Sequence, residues 1–328
     1  FNFTTTIIPG EVETNFIGTI SNLKEDPKFK GKITTTGKNL GAFFSAITGN
    51  KIFPGRYAKP FKAAANITSD LKTLLFKNFE IKFIDTKGVG SIEVALGNDI
   101  DANILLSINK IDLDQILELS SVSPDISQEK TATKSPNTLN SVSVATESPE
   151  LNVFSKLDLK IFPKAMSANL TLSVQSLIYK NSTIRQAKLN ASLVNREITL
   201  SQLSALLPGN TDIAVFGFIS ESSTESAFEG SIDLVTNDLQ ELLRWNGLTP
   251  PAVARNRLNK LKISAKLKGD KKSVKFSNLK LKLDDTKIQG SGGLVLTRRP
   301  SLVMALTLDS INLDSYISRN QSKKKFRH

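Results

Sequence analysis

"FSNLKLKLDDTKIQGSGGLVL", Phe276 to Leu296, alternates leucine with lysine through its first half. A period of two sends Leu279, Leu281 and Leu283 to one face and Lys280 and Lys282 to the other, which is the mark of a β-strand. A sheet that is apolar on one side must bury that side against something. What covers the greasy face is therefore the question that decides the fold.

The stretch has a counterpart. "FKNFEIKFIDTKGVGSIEVAL", Phe76 to Leu96, matches it at a constant offset of 200, pairing Phe76 with Phe276, Asp85 with Asp285 and Gly90 with Gly290. Phe79, Ile81 and Phe83 fall on Leu279, Leu281 and Leu283, and "IDLDQIL" (111–117) falls on "INLDSYI" (311–317). Upstream the offset slips to 199: "IIPGEVETNFIG" (7–18) falls on "LLPGNTDIAVFG" (206–217), and "FKGKITTTGKNL" (29–40) on "FEGSIDLVTNDL" (228–239). The sequence thus reads as one unit used twice, 206–317 repeating 7–117.

One unit contains six alternating or Val/Ile/Thr/Phe-rich stretches, at about 11–20, 28–36, 62–69, 78–86, 88–96 and 100–110, with Gly, Asn, Asp or Pro between them. Short helices are expected after Asn39 and its twin Asp238, and after Asp114 and its twin Asp314, where an Asx side chain can cap the first turn. More alternation fills 151–205. Residues 120–150 are rich in Ser, Thr, Pro and Glu and lack aromatics, so they read as a solvated, disordered loop. The expected organisation is a first β module over 1–119, that loop, a second β module over 151–318 and a basic tail over 319–328. The fold class is mainly β: extended, curled antiparallel sheets, groove-like or sandwich-like, with a few short helices and an internal duplication.

Composition bounds the chemistry. The 328 residues carry 43 Lys and Arg against 31 Asp and Glu, a net charge of +12. Such an excess suits an anionic partner, or simply lysine on the solvated faces of strands. Cysteine is absent and the sole histidine is His328. Thiolate chemistry, disulfides and a histidine base within the fold are thereby excluded. Asp284 and Asp285 stand where a hairpin turns, and Asp284 has Ile84 as its twin, so turn chemistry outweighs an acid–base pair. Asp112 and Asp114 have metal-like spacing but sit at a helix start, which favours a cap. "GSGG" (290–293) has "GSIE" as its twin and no useful helix after it, so a bulge or close packing is preferred to a phosphate loop. Nothing demands a cofactor or a metal. No nucleic-acid motif accompanies the charge, and aromatics are not interleaved with the basic runs. The longest apolar run, "LGAFFSAI" (40–47), is far short of the ~20 residues that span a bilayer. A start at Phe1 suggests a piece of a longer product.

Taken in order, the "LPG" turn (207–209), "FEGSIDLVTNDLQELLRWNG" (228–247) and "NLKLKLDDTKIQGSGGLVLTRRPSLVMALTLDSINLDSYI" (278–317) resemble the AsmA-like family of bacterial envelope proteins. Gly290, Arg299, Pro300, Asn312, Leu313 and Asp314 occupy the positions of its glycine-led strand, basic turn and Leu-Asp tail. The first unit departs from that pattern with "GND" (97–99) in place of "RRP". The resemblance implies a protein of the periplasm, held to the inner membrane by a segment outside this chain, and the missing catalytic groups make it non-enzymatic. It also implies kinship with bridge-like lipid-transfer proteins, whose curled sheet lines a groove for phospholipid, and a part in outer-membrane biogenesis.

Two functions follow. In the first the apolar face stays open and holds phospholipid acyl chains, lined by Phe79, Ile81, Phe83, Val94, Leu96, Leu279, Leu281, Leu283, Leu294 and Leu296, with lysines at the rim meeting phosphate. The same face continues at Ile104, Leu106 and Ile108 and their twins Met304, Leu306 and Leu308. In the second, the faces close into sandwich cores and the protein is a scaffold for envelope partners during outer-membrane protein assembly. Periodicity alone leaves both open.

Overall fold

The computed structural model describes residues 2–7, 12–41, 59–115, 159, 162–221, 226–251, 257–270, 272–295, 300–312 and 316. The expected loop at 120–150 and tail at 319–328 lie outside them. A strand that was not expected, β1 (Asn2–Ile7), comes first, and the alternating stretches become β2 (Val12–Ser21), β3 (Lys28–Gly37), β4 (Phe61–Ser69), β5 (Thr73–Phe83), β6 (Thr86–Leu96), β7 (Ile100–Asp112) and β8 (Met166–Tyr179). There follow β9 (Ser182–Val194), β10 (Glu197–Leu207), β11 (Thr211–Glu221), β12 (Ser226–Thr236), β13 (Leu261–Gly269), β14 (Ser273–Leu283), β15 (Thr286–Val295) and β16 (Ser301–Leu308). A helix, α1 (Leu239–Trp245), joins β12 to β13.

All sixteen strands lie in one mixed sheet in sequence order, and β1 does not meet β16, so the curled sheet is not closed into a barrel. Fourteen of the fifteen joints are antiparallel. The exception corrects the all-antiparallel expectation: β7 and β8 run parallel, from Ile100↔Met166 to Asp112↔Ile178. A parallel pair cannot be joined by a tight turn, and here the chain returns by way of the long intervening segment.

β5 starts earlier than alternation suggested. Between the pairs Phe76↔Ile92 and Phe79↔Gly90, the two residues Lys77 and Asn78 stand opposite the single Ser91. This bulge breaks the period of two and masks the strand's first half. Asn78 takes φ 50°, and Asn278 takes φ 52° at the same place in β14, where the register shifts between Phe276 and Leu279. Pairings of β5–β7 and β14–β16 coincide once 200 is added to each number, as with Gly90↔Leu106 and Gly290↔Leu306. Duplication is a statement about origin and stays with the sequence; the structure adds the common register.

Two-residue turns close β5–β6, β8–β9, β9–β10 and β14–β15, and three-residue turns with an Asx contact close β4–β5 and β13–β14. Asp70 accepts from the amides of Lys72 (2.8 Å) and Thr73 (2.6 Å), and Asp270 from those of Lys272 and Ser273 (both 2.7 Å). Gly209, in the "LPG" turn, has φ 77°, and a Cβ there would lie 2.4 Å from the Asp238 carbonyl oxygen. Only glycine lets the turn approach the start of α1 so closely. Beneath it the Thr211 hydroxyl donates to Pro208 O, the Thr236 hydroxyl donates to Gly209 O, and the two fully buried hydroxyls stand 2.8 Å apart.

The helix after Asp238 forms as expected, its first turn capped by Asp238 Oδ1 accepting from Glu241 N at 2.9 Å. Leu40 and Gly41 begin the helix expected after Asn39, most of which lies outside the described residues, as does the helix expected after Asp314. Near Asp114 the helical residues are Leu113–Gln115, and the cap is Asp112, whose carboxylate accepts from Gln115 N at 2.9 Å. Asp114 acts elsewhere. Its two oxygens accept from Lys180 N and Asn181 N, both at 2.7 Å, and so hold the β8–β9 turn.

Candidate functional site

Register fixes which residues share a face, because partners directly opposite each other point the same way. Phe79, Ile81 and Phe83 of β5 share one with Gly90, Gly88 and Thr86 of β6, and Val94 and Leu96 continue it along β6. From β6 it passes to Ile104, Leu106 and Ile108 of β7, then across the parallel joint to Leu170, Leu172 and Val174 of β8. At the far end Leu279, Leu281, Leu283 and Leu294 occupy the same face, with Ile263 and Ile288 flanking Leu281. The bulges keep Phe76 and Phe276 on it as well. Leu296 lies outside the described residues.

No second layer faces this surface among the described residues. Strand contacts are confined to hydrogen-bonded neighbours, apart from isolated residue pairs. Fully buried apolar side chains are few, the main cluster being Val12, Phe61 and Phe83 with Leu40 packed against it. The closed sandwich cores of the scaffold alternative are not formed by the described strands.

The two faces are shielded unequally. Leu105, on the polar face of β7, is 53% exposed, whereas its neighbour Leu106 is half-buried. On the apolar face side chains crowd one another. On the other, lysines extend into water and apolar residues such as Ile17, Val89 and Leu105 stay exposed. Among the proposed lining residues Phe83 is buried, Leu96 is exposed, and Phe79, Ile81, Val94, Leu279, Leu281, Leu283 and Leu294 are half-buried. Lysines line up across the strands. Lys62, Lys82 and Lys87 form one rung across β4–β6, and Lys262, Lys282 and Lys287 another across β13–β15. Both rungs lie on the polar face rather than at the rim of the apolar one, because each lysine is one residue from an inward position.

One end of the apolar face carries a bar that periodicity did not reveal. α1 leaves the end of β12, and its Trp245 indole N–H donates to Tyr179 O at the end of β8, at 3.1 Å. The two rings meet edge to face, centroids 6.2 Å apart. The helix therefore lies across the ends of β9–β11, with Leu239 and Leu242 buried beneath it. The lone Trp was the available signal: an apolar ring carrying a donor at the end of a short helix needs a surface and an acceptor.

Asp284 and Asp285 are committed to structure. Asp284 accepts from the amides of Leu258 (2.8 Å), Asn259 (3.2 Å) and Lys260 (3.1 Å) and from the Tyr316 hydroxyl (3.0 Å). Partial burial pushes its carboxyl upward, but the amides of Lys260 and Leu258, the Tyr316 hydroxyl and the Asn259 amide together hold it below the ordinary carboxylate range. Asp285 pairs with Arg257 at 2.8 Å, and that guanidinium lies over the Tyr316 ring. The "GSGG" glycines serve close packing: a Cβ on Gly290 would stand 2.1 Å from Ala305 O.

The polar face has a feature that sequence reasoning overlooked. Phe216 and Phe218 of β11 point away from the apolar face and line a shallow depression of about 560 Å³ with Lys266, Lys268 and Lys275. No helix among the described residues is long and apolar enough to cross a membrane. Neither family models, nor curated proteins, nor solved structures give a match to this chain.

Proposed function

We propose that this chain is a non-enzymatic lipid-binding and lipid-transfer module of the bacterial envelope. Phospholipid acyl chains lie along the apolar face, and the module works in the periplasm, attached to the inner membrane by a segment outside the chain, in support of outer-membrane biogenesis. The observation that carries this reading is a single-layer sheet whose apolar face runs without a break from β2 through the parallel joint to β16. An acyl chain laid on such a face is driven by loss of apolar surface from water, about 25 cal/mol per Å². The family resemblance supplies the compartment, the membrane attachment and the class of lipid. Lysine rungs on the polar face add a positive field that attracts anionic head groups.

Native mass spectrometry of the purified chain tests this. Co-purifying phospholipid is the expected result, and a lipid-free protein whose spectrum ignores added phospholipid would refute it. Leu281→Asp sharpens the test. It puts a carboxylate in the middle of the face without opening a closed core, so lipid retention falls several-fold while far-UV circular dichroism stays unchanged.

A further inference from the structure

Among the described strands the last, β16, is one border of the sheet. It stands to β15 as β7 stands to β6, yet the two differ in what lies on their other side. β7 is joined by β8, and its Ala102 is 6% exposed; on β16, Leu302 and Met304 are 57% and 51% exposed. The amide of Asp309 donates to Lys287 O at 3.1 Å, so the odd-numbered residues turn their backbone groups toward β15. By alternation, Leu302, Met304, Leu306 and Leu308 turn theirs outward to the open edge. The run Ser301–Leu308, "SLVMALTL", has no charge and no proline, and its pairing with β15 shows no bulge. Those are the devices that normally guard an edge against another strand.

We propose that β16 pairs with β16 of a second copy of this chain, antiparallel, about a two-fold axis. Among the described strands a second copy has only two open edges, β1 and β16, since every other strand is flanked on both sides. Joining β16 to β1 would leave an edge of each kind free and go on adding copies, whereas β16 against β16 closes. A register centred on Ala305 sets Leu302 opposite Leu308 of the second copy and Met304 opposite Leu306. These are the residues whose amides and carbonyls face outward, so each finds its partner. No like charges are brought together. The apolar face then runs across the junction, as it already runs across β7 and β8. The inference concerns the edge and does not rest on the lipid reading.

Sedimentation equilibrium of the full chain from micromolar to about a hundred micromolar tests it, with Leu306→Pro alongside. Proline at 306 removes an outward N–H and leaves the β15 ladder intact. A monomer–dimer equilibrium is expected, weakened at least ten-fold in the variant with circular dichroism unchanged. Should the proline disturb the strand, Met304→Lys on the same exposed edge is read in its place and weakens the dimer likewise. A wild type that stays monomeric, a dimer indifferent to both substitutions, or assemblies that keep growing with concentration would each overturn the proposal.

Discussion

At the scale of single residues, one turn position sets the two similar halves apart. Ile84 and Asp284 hold equivalent hairpin positions with φ 53° and 50°. A β-branched residue is strained there, whereas Asp tolerates the left-handed region. Ile84→Asn should therefore stabilise the protein by about 1 kcal/mol, seen as a raised urea midpoint. Asp284→Ala should cost about 2 kcal/mol through the lost charge-assisted hydrogen bonds. That difference should shrink in acid. Amide donation, from Lys72 first, holds the Asp70 carboxyl below its ordinary range; at Asp284 the donations outweigh partial burial. A lowered pKa gives stability that is present above about pH 4 and lost as pH falls through the lower folded value. Urea melts at pH 7 and pH 3 check it: wild type and Asp284→Ala should lie closer together at pH 3. The turn role of Asp284 was legible in the sequence, because its twin is Ile84. Its specific partners were not, since Leu258–Lys260 and Tyr316 reach it only through the tertiary arrangement.

Among elements, alternation located most strands and fell short where backbone irregularity intrudes. The bulge at Asn78 shifts the phase of β5, so Leu74 and Phe76 fell outside the alternating run although they share its apolar face. Glycine offers the opposite case. Gly217 and Gly230 sit side by side on β11 and β12, and the Phe228 ring covers them: a Cβ on Gly230 would meet Phe216 O at 2.0 Å. Gly230→Ala should thus loosen this pair of strands and lower stability by about 2 kcal/mol, measurable by chemical denaturation. The far end of α1 is tied to β8 by one long side chain. Trp245→Ala removes both its hydrogen bond and its ring contact with Tyr179. It should make residues 239–251 sensitive to limited proteolysis while the sheet's circular dichroism persists. The cap at Asp238 made the helix predictable; its lodging against β8 was not, because no local pattern records which distant strand lies beneath.

For the molecule as a whole, fold class and the choice of apolar face followed from a period of two sustained over many segments. The single layer did not, because a sandwich and an open sheet share that period. The parallel joint escaped for a related reason: strand patterns carry no direction. A sheet whose strands touch only their neighbours resembles a linear array more than a globule, and such arrays lose structure piecewise. Hydrogen exchange should accordingly show the slowest amides in the interior strands around β7–β10 and progressively faster ones toward β1 and β16, rather than one uniform opening. The parallel joint has a further consequence for the covalent chain. β7 finishes beside Ile178 and β8 begins beside Ile100, so residues 113–165 must travel back over about 40 Å, the length of a dozen extended residues. A connection between strand ends so placed has a fixed minimum length. Trimming it leaves the sheet's topology intact until roughly a dozen residues remain, and beyond that β8 can only reverse or let go.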